Sequence, residues 1–490
     1  MKRLWSVLVA AAALVALGPA SAQMTRSEHV RSIAAGYKAA FLCSDLFNGG
    51  MSEAQVEADD LRGTYSEYVP LFASLPAEID RANRIVSVRF SDTLPPRVAA
   101  WRPVLGCAQL PAGAPREQAA ALPRVSARPP DLDARPWPMG DRNASGRLGG
   151  DARALTRTIG NAFDRRSYAQ GSETTAVIVV QDGRIVAERY RGDFDMHMSQ
   201  RTWSVAKSIA GSVIGAAVQR RLIRVEQPAP VPEWQHEGDP RRAITFDSLL
   251  RMASGLHSDY AGNRSDDLYF GGVAISDQAG SFPLVAQPGT VFRYANNDIV
   301  LAIRALQHVL GDGEASRAFP FEALLWRIGM TRTVPETDWR GHFVMSSQVW
   351  TTARDLARLG LLYQNDGVWQ GERILPAGWR DYVHLNGPAQ PAGEDGPVYG
   401  ASWWTFPRAG PARRARQSRP VSRGLPVPAG GDRAPRLRRH GREFRFRHLR
   451  PRRAGGAALS GREQAAACVI LRKQRPSGER DVRSKCRAGP

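Results

Sequence analysis

Lysine is almost absent from this 490-residue chain: of its 67 basic residues only Lys2, Lys38, Lys207, Lys473 and Lys485 are not Arg. Arg keeps its proton at any working pH, whereas a partly buried Lys can release it. Lys207 is the one amine between residues 39 and 472, which makes it the first candidate for a base. Cysteine is scarce too, with four residues. The nine His show no His-Glu-x-x-His pattern or close pairing, so no metal is expected. No Gly-x-Ser-x-Gly elbow and no Gly-rich phosphate loop occurs, which argues against an α/β-hydrolase or a nucleotide enzyme. No cofactor is expected. No apolar run reaches the ~18 residues of a membrane span.

Hydrophobic residues make up 43% and charged residues 23%, a globular balance with room for two or three domains. The net charge of +20 invites a nucleic-acid reading, but its location removes most of it. Residues 408–490 hold 24 Lys and Arg against 5 Asp and Glu, leaving 43 against 42 for the remaining 407 residues. The tail has few aromatics for base stacking, so no specific nucleic-acid partner is expected.

Residues 1–22 read as a signal peptide. Lys2 and Arg3 precede an apolar run from Val7 to Leu17, and Ala20-Ser21-Ala22 fits cleavage after Ala22. The bland alternative is a short anchoring helix. The expected location is periplasmic or secreted, where disulfides persist. Cys43 and Cys107 flank one small segment and are the disulfide candidate.

Residues 23–110 read as a small mixed module, with a helix near Glu28–Phe41 and a strand over Ile85–Phe90. Residues 111–150, rich in Pro, Ala and Arg, suit a linker. A domain over 151–407 then opens with a helix near Ala152–Phe163 and a hairpin turning at Asp182-Gly183. Helical patterns run from Ser204 to about Leu362, and strand character returns at Tyr399–Phe406. Beyond Phe406 apolar periodicity vanishes, and the basic tail 408–490 is expected to be aberrant or disordered.

Ser204-Val205-Ala206-Lys207 is the sharpest motif. Residues i and i+3 share a helix face, so the amine can reach the hydroxyl. The apolar run Ile209–Val218 marks a buried helix with Ser204 at its N-terminus. There free N–H groups and the dipole can stabilise an oxyanion, while desolvation lowers the Lys pKa. The bland alternative is an N-cap Ser with a snorkelling Lys. A second element, Pro288–Asn296, turns at Pro288-Gly289 and presents Tyr294 and Asn296. A Tyr near an amine can relay protons, and an Asn can hold a substrate amide or the Lys. A core aromatic and a turn Asn would look the same.

Taken together, Trp203–Ser208, Ile244–Leu256 and Pro288–Asn296 resemble the serine beta-lactamase-related hydrolases, the class C beta-lactamase and penicillin-binding-protein-like group. Thr352–Leu359 and Tyr399–Trp404 are similar to its 6-aminohexanoate-oligomer hydrolase-like and esterase-like branch. The resemblance covers about residues 137–406. It implies an α+β beta-lactamase/transpeptidase-like fold, an antiparallel sheet flanked by helices beside a helical subdomain. It also implies Ser204 as acylated nucleophile, Lys207 as base, Tyr294 as proton relay and Asn296 as a contact to substrate or to Lys207. The substrate would be a small amide or ester, with a carboxypeptidase or beta-lactamase activity as the alternative.

One departure matters. The group's third motif, a Lys/His-x-Gly-like strand that supplies an oxyanion N–H, is missing after Trp404, and Arg439-His440-Gly441 lacks a strand pattern. Loss of one such donor costs ~2.7–4 kcal/mol of transition-state stabilisation, so an inactive product is the other alternative. A frameshift near residue 408 is the expected cause, since GC-rich genes read out of frame yield Arg, Pro, Ala and Gly.

Overall fold

The Asp182-Gly183 turn closes its hairpin with both residues at positive φ, 51° and 77°, the twist a two-residue connection demands. In this computed structural model, residues 25–405 are described except 63–64, 66, 168–169, 171, 259–265 and 392–396. Past 405 the description covers only 464–465 and 468–472. The hairpin strands Ala176–Gln181 and Arg184–Tyr190 pair antiparallel. Their alternation separates two faces. Val177 and Val179 pack on Leu155, Ile159 and Phe163 of the helix Ala152–Phe163, while Ala176, Ile178 and Val180 enter the main core. Burying Ile178 alone contributes about 1.5–3 kcal/mol. Asp151 starts the first helix by accepting from the N–H groups of Arg153 and Ala154. The helix Ala353–Gln364, capped by Thr352, also packs on the hairpin. The result is an antiparallel hairpin flanked by helices, the α+β arrangement expected.

The helix Val205–Gln219 runs through the centre, buried from Val205 to Ala217. Its small residues let neighbours come close. A Cβ at Gly215 would lie 2.6 Å from the Trp379 ring, and one at Gly211 would lie 3.0 Å from Ser402 Cβ. The helix Asn296–Val309 is buried from Asn296 to Gln307 and packs beside it.

At the N-terminal end, the helix Arg26–Ser44 lies on an antiparallel four-stranded sheet of Ala77–Asp80, Ile85–Val88, Arg97–Arg102 and Gly106–Gln109. A Cys43–Cys107 disulfide joins the end of that helix to the last strand. The module does not stand apart, because Phe41 and Val86 belong to the same continuous core as Ile209 and Leu356.

One sequence expectation needs correction. Residues 111–150 are no loose linker: Leu122, Val125, Leu132 and Trp137 are buried. Arg358 donates to the carbonyls of Pro138, at 2.7 Å, and Gly140, at 2.8 Å. Side-chain donors satisfy this stretch where a ladder would in a regular element, so it shows no periodicity. Within the basic tail two short segments are described. Residues 464–465 pair parallel with Glu173–Thr174, and Cys468–Arg472 pairs parallel with Ala176–Gln181. The run Cys468-Val469-Ile470-Leu471 has the unbroken apolar pattern of a parallel strand, hidden by the surrounding arginines. Among the described residues no helix is long and apolar enough to cross a membrane. The signal segment 1–22 and Arg439-His440-Gly441 lie outside the described residues.

Candidate active site

Ser204 is delivered by a short strand and a strained residue. Gln200–Arg201 pairs with Val349–Thr351, and Thr202 N–H extends the pairing to Val349 O at 2.9 Å. Trp203 then turns at φ 48°, a left-handed conformation that costs a bulky residue about 1–3 kcal/mol. The Arg201 guanidinium holds it there, 4.2 Å from the Trp203 ring and 4.4 Å from the Phe41 ring. Ser204 is the N-cap of the central helix, and its side chain caps nothing, which leaves Oγ for other work.

The helix N-terminus offers fewer donors than its dipole suggests. Val205, Ala206 and Lys207 N–H groups bond back to Thr202, Trp203 and Ser204 carbonyls at 3.2, 3.0 and 3.1 Å. Among the described residues, Ser204's own N–H has no partner and is the donor left for an oxyanion.

Lys207 is 1% exposed and its Nζ meets three oxygens. They are Ser204 Oγ at 3.2 Å, Asn296 Oδ1 at 2.5 Å and the Ser346 carbonyl at 2.8 Å. As an ammonium, Lys207 satisfies all three oxygens with its three N–H bonds. Once neutral, it keeps two N–H bonds for Asn296 and Ser346, which can only accept, and its lone pair is free to face the serine hydroxyl. Burial pulls the Lys207 pKa down to about 7, with the Asp298 charge opposing.

Tyr294 and Asn296 arrive together at the start of the helix Asn296–Val309. Lys207 Nζ lies 5.0 Å from the Tyr294 ring centroid. Tyr294 packs against Tyr399 at 5.7 Å and Trp404 at 5.6 Å, so the Tyr399–Trp404 segment holds its ring. Tyr399 and Trp404 belong to strands Val398–Tyr399 and Trp404–Thr405, which pair with each other.

Three participants escaped the sequence reading. Asp298, two residues after Asn296, is buried and accepts from Ser254 Oγ at 2.8 Å. Burial raises its carboxyl to about 7 against the opposing effects of Ser254, Arg293 and Lys207. An acid opening an otherwise apolar helical run was the available signal. Ser346 acts through its carbonyl, a role any residue could fill, so no signal existed. Tyr269 donates to or accepts from Ser346 Oγ at 2.6 Å, across 77 residues of sequence.

A separate group, Asp133, Asp141 and His197, brings potential metal-ligating atoms within 4.8 Å of one another. Arginines already serve it: Asp133 pairs with Arg332 at 2.5 Å and Asp141 with Arg358 at 2.8 Å.

Comparison with known proteins follows the same lines. Residues 159–441, more than half of the chain, match the Beta-lactamase family model. A 6-aminohexanoate-dimer hydrolase of Paenarthrobacter ureafaciens is 26% identical over 257 residues, covering 47% of this chain and 64% of the relative. The chain thus spans less than two thirds of that relative's length. Among solved structures, a Bacillus anthracis protein described as a candidate 6-aminohexanoate-dimer hydrolase is 23% identical with a TM-score of 0.40, over 57% of this chain and 74% of its own. A penicillin-binding protein of Bacillus halodurans is 16% identical with a TM-score of 0.38, over 48% and 81%.

Proposed function

The chain belongs to the beta-lactamase family, and from that premise we propose that it is an exported serine hydrolase of small amides or esters. The observation that carries the reading is the buried Lys207 Nζ, held by Asn296 and the Ser346 carbonyl within 3.2 Å of Ser204 Oγ, where its neutral form can take the serine proton.

In the proposed reaction, Ser204 Oγ attacks the substrate carbonyl carbon as its proton passes to Lys207 Nζ. The carbonyl oxygen, now negative, sits against the Ser204 N–H. The C–N or C–O bond breaks as Tyr294 gives a proton to the leaving amine or alkoxide, and the Lys207 ammonium returns a proton to Tyr294. Water then attacks the Ser204 ester, loses its proton to the same relay, and releases the acid and the free hydroxyl. General-base assistance of this kind is worth about 10²–10⁴ in rate. Asn296 fixes the amine, which the sequence left as one of two roles for it. A pKa of about 7 leaves roughly half of Lys207 neutral at pH 7.

Export rests on the leader pattern of residues 1–22 and on the Cys43–Cys107 disulfide, a bond that lasts in oxidising compartments. The dimer of 6-aminohexanoate, named for the Paenarthrobacter relative, is the first amide to offer. A second reading, an inactive product, is favoured by one observation: only one oxyanion donor is present among the described residues. A nitrophenyl ester of a short acid separates the two. An acyl-enzyme gives a burst approaching one nitrophenolate per chain, abolished in Ser204→Ala. Hydrolysis no faster than in Ser204→Ala overturns the reading.

A further inference from the structure

Resting on that reading, we propose that the N-terminal module, outside the family match, is a positioning element for the Lys207 base and acts through Tyr269.

The module meets the site at two points. Its first grip is on the short helix Asp266–Phe270. Gln109 Nε2, on the module's last strand, donates to the Tyr269 carbonyl at 2.8 Å. Arg97 Nη1 donates to the Phe270 carbonyl at 2.8 Å, and Tyr68 OH donates to Asp266 at 2.5 Å. The Tyr37 ring sits 4.2 Å from the Phe270 ring. Held at backbone and flanks, Tyr269 places its hydroxyl on Ser346 Oγ, and the carbonyl of that same Ser346 accepts from Lys207 Nζ at 2.8 Å. The second grip is Phe41, which backs the Arg201–Trp203 stack just ahead of Ser204. The disulfide fixes the two grips to each other, tying the helix of Phe41 to the strand of Gln109.

A module that served only to add buried surface would have no reason to place a side-chain donor on the backbone of the residue whose hydroxyl meets Ser346. The residues are buried polar groups: Arg97 is 2% exposed and Ser346 fully buried, where a hydrogen bond is strong and its loss is felt. Moving Ser346 would release one hydrogen of the amine and let the lone pair turn from Ser204 Oγ. Tyr269 is therefore a positioning residue.

The test is acylation of the full chain by a fluorophosphonate, resolved into a limiting rate and an inhibitor constant, with melting temperatures measured alongside. Gln109→Glu keeps the shape and the Arg97 contact but removes the donor to Tyr269. Tyr269→Phe removes only the hydroxyl. Each is expected to lower the limiting rate on the order of 10-fold with the inhibitor constant changed less than about twofold. The double variant should resemble either single, since both break one chain of contacts. Arg81→Ala, at the surface of the same module, should match the wild type. Wild-type labelling at Ser204 with unchanged limiting rates in both variants overturns the positioning role and leaves the hydrolase reading standing, even if they melt earlier. A wild type that never labels overturns both.

Discussion

Replacing Asp298 with Asn should make the enzyme work at lower pH. Lys207 must be neutral to take the serine proton, so acylation should rise with pH through a midpoint near its value of about 7. At an ordinary amine pKa of 10.5 only about 3 in 10⁴ molecules would be neutral at pH 7, so burial raises the working fraction on the order of a thousandfold. Asp298 acts the other way, because its negative charge favours the ammonium. Asn keeps the size and can still accept from Ser254, but carries no charge. The Asp298 carboxyl is itself raised to about 7, so the charge is only partly present at and below neutrality. The midpoint should drop by a fraction of a unit, read as a gain of less than about twofold near pH 7, with the alkaline plateau unchanged. The assay is the rate of fluorophosphonate labelling between pH 5 and 9. A midpoint that stays put or climbs would refute the assignment of Asp298 as the charge opposing deprotonation.

Other perturbations test separate links. Lys207→Arg retains the cation but offers no lone pair, so acylation should fall about 10²–10⁴-fold at every pH, read by the ester burst. Asn296→Ala strips one acceptor from a buried amine and should lower stability by about 1–3 kcal/mol in urea, besides slowing acylation. Reducing Cys43–Cys107 reopens a separation of 64 residues and should cost about 2–5 kcal/mol in the same assay. Reading the gene one nucleotide on past Phe406 should yield an open frame with strand and helix patterns. Early stops there would rule out the frameshift.

How far the sequence carried can be judged residue by residue. The Asp182-Gly183 hairpin and the Ser204/Lys207 pair were legible because short-range geometry dictates them, two residues in a turn and three along a helix. Tyr294 and Asn296 were legible as a motif, but their meeting with Lys207, across 89 residues for Asn296, depends on how the helices Val205–Gln219 and Asn296–Val309 pack. The Ser346 carbonyl had no legible signature, because backbone atoms are common to all residues. The Gln109–Tyr269 contact spans 160 residues and arises from docking of the N-terminal module, which no local pattern encodes. Residues 111–150 misled for a related reason: Arg358 supplies the order that periodicity would otherwise announce.

The central claim is that Ser204 is a nucleophile assembled with Lys207. Peptide mapping by mass spectrometry after fluorophosphonate treatment of the folded full chain tests it most directly. The account predicts one adduct per chain, on the peptide containing Ser204, absent in Ser204→Ala and in Lys207→Ala. An adduct on any other residue, or labelling of Ser204 that survives loss of Lys207 at the same rate, would contradict it.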